Sequence, residues 1–468
     1  NPTRSGPNAH ALATWGAPSR LNFPKIQFDR YDKYSAEMLE YCIRDVELNV
    51  EVFKYLQKEG KGFSVKSVIL EHQVSEILER QTRHGFLLDQ KKAQLLLASL
   101  RERLTEVETE VRKIFKPKIE EIVLIPKRKK DGEISKVAKG GRLTNEEYER
   151  VKAKNTLEPI KRYKTVEFNL GSRLQIGQYL QEFGWKPQKF TEHGRPIVDE
   201  KVLRGVKGIP EASLIAEYLL VQKRIAQVDS WLEAVSEKDG RVHGFIKSTG
   251  AITGRMTHMK PNMAQVPATR KAHDGMTPVQ RLKAELGGQC RACWTVEQGN
   301  KLVGIDASGL ELRMLAHYMK DGDYVNTILD GDIHSANQAA AGLETRDQAK
   351  TFIYAFLYGA GDEKIGSIAG KGAKHGKKLN KDYLDNIPSL KALKELVEKI
   401  AANGSLPSLD GRRIRIRKAY SALNFLLQGG GAALMKKALL NGVESLREQN
   451  IPFKMVANVH DEFQVETP

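Results

Sequence analysis

The sequence predicts a multidomain chain of the α+β class, and three observations predict it. At 468 residues the chain exceeds what one hydrophobic core normally organises, so two to four domains are expected. Long apolar stripes at helical spacing dominate its first half. Two short strand-like runs, each carrying an aspartate among apolar neighbours, lie far apart in its second half at residues 301–306 and 452–466.

Composition narrows the function classes. Hydrophobic content of 40% and charged content of 28% describe an ordinary soluble protein with real cores. Lysine plus arginine number 75 against 58 acids, a formal charge of +17. That surplus suits a polyanionic partner, nucleic acid first, although a basic surface serving only solubility gives the same count. There is no run of 18 apolar residues and no charged-then-apolar leader, so no membrane partner is expected and a cytoplasmic location is. Three cysteines cannot build a disulfide framework, and the lone CxxC of Cys290 and Cys293 has no second ligand pair, so both read as packing residues.

Residues 1–34 give no firm element. Ser35 caps a helix running to about Lys58, on which Met38, Cys42, Asn49, Val52, Phe53 and Leu56 trace one stripe. Asp45 falls on that stripe with Tyr41 one turn earlier, and a carboxylate there is either neutralised by a neighbour or holds a metal. From Asp89 to Phe115 the apolar positions step by fours and threes for three heptads, the pattern of a long helix packed on another. Residues 116–164 lose this period and carry the basic runs KRKK and KVAKGGR, a loop either solvated or laid on phosphate backbone. A helix capped at Ser172 follows, and then a second long one with Leu214, Tyr218, Val221, Ile225, Val228, Trp231 and Val235 on one stripe. Two long helices bracketing a basic insertion describe a projecting arm.

Residues 248–267 have the texture of a backbone-specific loop in which Arg255 is free to reach a ligand. In KLVGIDASGLELRMLAHYM, Val303 and Ile305 alternate as in a short buried strand that ends on Asp306, and Ser308 with Glu311 has the spacing of a capping box. Asp306 there fits two roles, opener of a turn or ligand of a cation. Thr345 and Gln348 form another capping box, and Arg346, Lys350, Tyr354 and Tyr358 then recur every fourth residue until Gly359 stops the helix. Cations at a helix start oppose its dipole, so an anion is expected to compensate them; a triphosphate would suit, with the aromatics stacking on a base. Residues 371–381 read as a second basic loop, and residues 452–466 as one strictly alternating strand with Asp461 in the apolar series beside His460 and Glu462. Two carboxylates from separate strands are the minimum for sharing divalent metals.

DASGLELR, RDQAKTFIYAFLYGAG and VHDE resemble, in that order, the three signature motifs of family A DNA polymerases, with TGR, PNMAQVP, GDIH and LLQGGGA matching further family elements. Ala307, where bacterial members usually have Tyr, is similar to the short-tailed bacteriophage replicative group. The resemblance implies template-directed DNA synthesis in phage replication on primer-template DNA with dNTPs, inside an infected bacterial host. It implies a right hand: thumb over residues 61–242, palm over 243–318 and 424–468, and fingers over 319–423. It implies that Asp306 and Asp461, with the carbonyl of Ala307, hold two Mg²⁺, with Glu462 and Lys350 joining the catalytic set. It assigns Glu311, His334, Arg346, Lys350 and Tyr354 to the incoming nucleotide. It assigns Arg255, Asn262, Gln265, Tyr358, Gln428 and His460 to template and primer.

Tyr41 and Asp45 resemble the last motif of a ribonuclease-H-like 3′–5′ exonuclease, making residues 1–60 a remnant of that domain. With its upstream motifs missing, no significant exonuclease activity is expected. The chain stops six residues after Glu462, so the sequence reads as a fragment, and a catalytically silent DNA-binding remnant is the alternative. The insertion at 116–164 sits where one phage relative binds a processivity factor, host thioredoxin. Tyr354, one turn beyond Lys350, is expected near the sugar facing Glu311. That placement implies ready acceptance of dideoxynucleotides, because a phenol and a carboxylate can satisfy each other without the substrate 3′-OH.

Overall fold

The computed structural model describes residues 11–468 except Gly62 and Lys207, so the opening ten residues of the expected exonuclease remnant lie outside the described residues. The chain divides into two compact units. One gathers the chain up to Glu76 with Ser248–Arg255 and Ala307–Glu444; the other gathers Ile77–Lys247, Met256–Asp306 and Ser445–Pro468. Each unit is assembled from distant stretches of sequence.

In the second unit, helices Gln90–Ile114 and Pro210–Glu233 pack along each other, as the heptad stripe predicts. Val107, Val111, Ile215, Val221, Val228 and Trp231 fill the seam, and Arg101 with Asp229 and Arg103 with Glu217 join its flanks. The same core takes in Cys290 and Cys293, both buried, with burial pushing each thiol up to about 11, so the CxxC is indeed packing. Phe86–Leu88 forms the middle of a three-stranded antiparallel sheet between Arg241–Val242 and Trp294–Thr295.

The insertion is not a loop. Lys118–Leu124 pairs with Ile160–Val166, a short ribbon of Val137–Ala138 and Gly141–Arg142 follows, and Thr144 caps the helix Asn145–Lys154 with a complete capping box. Leu124, Ile134, Ala138, Leu143 and Val151 give it a core of its own. The short strands, interrupted by Lys runs, concealed this fold.

The strand Lys301–Asp306 is exposed along its whole length, contrary to the buried strand expected. It lies at the edge of a sheet ordered Lys301–Asp306, Glu462–Thr467, Lys454–Val459, so its apolar alternation reflects pairing rather than burial. Residues 452–466 are not one strand but a hairpin, with His460 and Asp461 as its turn and a bulge between Met455 and Ala457.

The first unit is largely helical. Leu312, Leu315, Ala316, Phe352, Ile353, Phe356, Tyr383 and Leu390 lie in its core. Ser35 caps Ala36–Glu59 as expected, but the stripe assigned to that helix is mostly exposed; Leu48 alone is buried on the helix. A helix at Leu12–Gly16 went unread, and the basic stretch near 371–381 is helix Ala373–Asn386, not loop. Among the described residues no helix is long and apolar enough to cross a membrane.

Candidate active site

In the second unit the sheet register sets Asp306 directly opposite Glu462, and Asp461 occupies the turn one residue earlier. His460 takes φ +57°, the left-handed conformation that a two-residue hairpin turn demands. Although Asp306 is exposed overall, partial desolvation of its carboxyl and then the charges of Asp461 and Glu462 raise its proton affinity. No lysine or arginine among the described residues pairs with any of the three. Among the described residues no group of three His, Cys, Asp or Glu side chains is arranged to enclose a metal. Two carboxylates with open positions nevertheless suit Mg²⁺, which commonly takes one or two carboxylates and completes its shell with water and substrate phosphate.

Beneath the turn, His258 is buried, and burial followed by the nearby His460 pushes its imidazole down to about 4. It is therefore neutral at physiological pH and adds no charge to the cluster. Asn262 and Gln265 are exposed around the 3₁₀ turn Met263–Gln265, whose Gln265 carbonyl accepts from Gln227 at 2.8 Å.

In the first unit Thr345 and Gln348 close a complete capping box on Arg346–Leu357, and Gly359 follows at φ +70°. The compensating anion predicted for its first turn is Asp332, which accepts from Arg346 at 2.6 and 3.0 Å. Asp332 also caps the preceding helix, Ile333–Ala341, through the amide of His334 at 3.1 Å, and the guanidinium holds its carboxyl well below the usual range. Burial and the charges of Arg346 and Lys350 lower the proton affinity of His334, which places that ring among the helix's cations. Tyr354 lies between His334 and Tyr358, with ring centroids 6.5 and 6.4 Å away.

Ser308 does not cap the helix Leu310–Met319; Gly309, at φ +63°, stands at its start, and Glu311 turns elsewhere. It accepts from Arg255 at 2.7 Å and from Tyr358, a turn beyond Tyr354, at 3.4 Å, so Arg255 is not free. Gln428 is half-buried on Ala422–Glu448, and Ala307 follows Asp306 at the foot of Leu310–Met319. Asp45 takes the structural alternative: Lys25 donates to it at 2.7 Å and to Tyr41 at 2.9 Å.

Residues 142–468 match the family model for DNA polymerase family A. The chain is 34% identical to the DNA-directed DNA polymerase of Escherichia phage T7 over 560 aligned positions, covering 98% of this chain and 76% of that protein. The Enterobacteria phage T3 polymerase matches at the same identity and coverage. The chain belongs to DNA polymerase family A. Its fold agrees with the POL domain of Pol1 from M. smegmatis, solved in complex with DNA primer-template and dNTP, at a TM-score of 0.66 and 19% identity; the match covers 85% of this chain and 63% of that one.

As a family A DNA-directed DNA polymerase, the chain keeps its paired acids in one unit and its cationic helix in the other. Sequence reasoning missed Asp332, although it quoted GDIH. The signal was available, since an Asp two residues before a helical His is an N-cap and needs a cation when exposed beside one. It also missed Glu71, Asp410, Arg412 and Lys436, a buried ionic group in the first unit. The one sequence signal for it is a lysine pair, Lys436 and Lys437, within the largely apolar helix Ala422–Glu448, on which Lys436 is buried.

Proposed function

We propose that this polymerase adds dNTPs to a primer 3′-OH along a DNA template, releasing pyrophosphate, in replication of a bacteriophage genome inside its host. The observation that carries the reading is the carboxylate cluster: Asp306 opposite Glu462, with Asp461 in the adjoining turn and no protein cation paired to them among the described residues. Asp306 and Asp461 would hold two Mg²⁺ with help from the Ala307 carbonyl. Bound there, the ions supply the charge stabilisation that in-line phosphoryl transfer needs.

The chain's own groups do the rest. Arg346, Lys350 and His334 bind the triphosphate, whose charge displaces Asp332 from Arg346. Tyr354 orients the sugar and base, and Glu311 closes the sugar 2′ position. Arg255 and Gln428 bind the minor groove, Asn262, Gln265 and Tyr358 the template side, and His460 the primer end. Glu462 keeps the negative field at Asp306 high. We assign thumb, palm and fingers to the residue ranges given above, and read the Lys25–Asp45 pair as the neutralised relic of an exonuclease site. The folded basic module at 116–164 lies along the phosphate backbone; a processivity protein such as thioredoxin is the other partner its place in the chain suggests.

Extension of a labelled primer with dNTPs and Mg²⁺, measured beside duplex binding by the same preparation, tests this. Template-ordered extension is expected. Binding without extension would leave only the silent DNA-binding alternative, and Mg²⁺-dependent degradation of single-stranded primer that survives Asp306→Ala would restore a nuclease.

A further inference from the structure

The loop Ser248–Arg255 ends on Arg255, and its shape depends on a lysine that no polymerase role yet described involves. Lys436, on Ala422–Glu448, is only 2% exposed. Its ammonium has three protons to donate and donates all of them, to Glu71 Oε1 at 2.5 Å, to the Ser248 carbonyl at 2.8 Å and to the Gly254 carbonyl at 2.8 Å. Two of the three bonds thus grip the two ends of one loop. Inside the loop, Gly254 N donates to the Ala251 carbonyl at 2.9 Å and Ala251 N to the Arg255 carbonyl at 3.1 Å, and Thr253 is buried. Arg412 closes the other side: a Cβ on Gly254, which sits at φ +78°, would lie 2.7 Å from its Nη1. Arg412 is itself fixed by Glu71 at 2.6 Å and Asp410 at 2.5 Å, so one glutamate holds both cations that frame the loop.

Burying an ammonium costs more than burying a methionine of similar length, so stability alone does not call for a lysine here. What methionine cannot do is satisfy two inward-facing carbonyls, and those carbonyls set where the backbone presents Arg255. The same helix carries Gln428 two turns before Lys436, about 12 Å along its axis. We propose that Lys436 is a positioning residue, whose ammonium ties the Arg255 loop to the helix bearing Gln428 and so fixes in one register the two side chains read above as minor-groove contacts. This rests on that reading of Arg255. Its consequence is that Lys436 governs discrimination against a mispaired primer end through Arg255, without touching DNA.

The test compares kcat/KM for extending matched and terminally mismatched primers. The variants are Lys436→Met and the charge-balanced pair Lys436→Met with Glu71→Gln, each with Arg255 and with Arg255→Ala. The balanced pair removes the carboxylate that the single variant leaves with one of its two cations, so net charge in the cluster is kept, and Arg412 retains Asp410. With Arg255 present, both variants should lower the matched-to-mismatched ratio at least about tenfold; with Arg255→Ala, the further change should be under about twofold, because residues acting through one another are non-additive. Amide exchange across residues 248–255 should quicken in the balanced pair. If the balanced pair restores the wild-type ratio, Lys436 only neutralises Glu71, and the proposal is overturned. It is equally overturned if the loss persists in full beside Arg255→Ala. An Arg255→Ala variant that itself leaves the ratio unchanged would refute the reading of Arg255, a result distinguishable from failure of Lys436 alone.

Discussion

Glu311 illustrates how a single side chain can be read correctly for place and wrongly for partner. The helix Leu310–Met319 was legible from its apolar spacing, but the S-x-x-E pattern promised a cap, whereas the carboxylate serves Arg255 and Tyr358. Local sequence cannot weigh a cap against a guanidinium 56 residues away. The Tyr358 contact, at 3.4 Å, is a long hydrogen bond. The resemblance still assigns Tyr354 to the incoming sugar. Tyr354→Phe is therefore expected to raise discrimination against dideoxynucleotides at least about tenfold, about 1.4 kcal/mol in transition-state terms, in a competition assay on one primer. An unchanged ratio would mean that the ring only packs. Asp332 gives a second expectation: Asp332→Asn keeps the helix cap but releases Arg346, so the KM for dNTPs should fall a fewfold while thermal stability hardly moves, since the pair is exposed. A rise in KM would show that Asp332 assists binding.

Among the elements, those set by long-period burial were readable and those set by turns were not. The paired helices Gln90–Ile114 and Pro210–Glu233 declare themselves through seven or more apolar positions each. The hairpin Lys454–Val459 with Glu462–Thr467 concealed itself because its two-residue turn, His460–Asp461, lacks the Gly or Asn that marks such turns. The turn also reverses parity. Asn458, not Val459, pairs with Phe463, so the apparent run of alternation joins two opposite faces. The insertion was misread because its core is five small to medium residues dispersed among lysines. Residues 116–166 contribute 15 of the 75 basic and 8 of the 58 acidic residues, a large part of the surplus of +17, which makes DNA the partner to test first. Replacing the module by a short Gly-rich linker should leave single-nucleotide addition intact but weaken duplex binding and flatten the plot of log Kd against log salt. An unaltered slope would free the module for a protein partner. Leu124→Ala, at a fully buried position, should cost about 2–5 kcal/mol within the module, seen as faster amide exchange there and not elsewhere.

At the scale of the whole molecule, stability in acid should depend on Glu466 in the second unit. Burial alone would push its carboxyl up, but hydrogen bonds from Arg241, Asn300, the Glu297 amide and His84 hold it down to about 2. A depressed acid stabilises the fold above its ordinary value of 4.5 and loses that contribution as pH falls toward about 2. Melting followed between those limits should show a steep loss, and Glu466→Gln should remove the pH dependence at a cost of about 1–3 kcal/mol, because Arg241 is left with Glu297 as its one carboxylate partner. The proposed function rests at this scale on Asp306, Glu462 and the adjoining Asp461, whose spacing in sequence, more than 150 residues between the first and the other two, gave no local clue that one sheet and its turn bring them together. The most direct test is template-programmed single-nucleotide incorporation by the wild type, Asp306→Ala and Asp461→Ala, with duplex affinity measured on the same samples. The wild type is expected to incorporate the template-matched dNTP, and both variants to lose incorporation while binding duplex nearly as well, since phosphate contacts dominate that affinity. Undiminished incorporation by either variant would contradict the account.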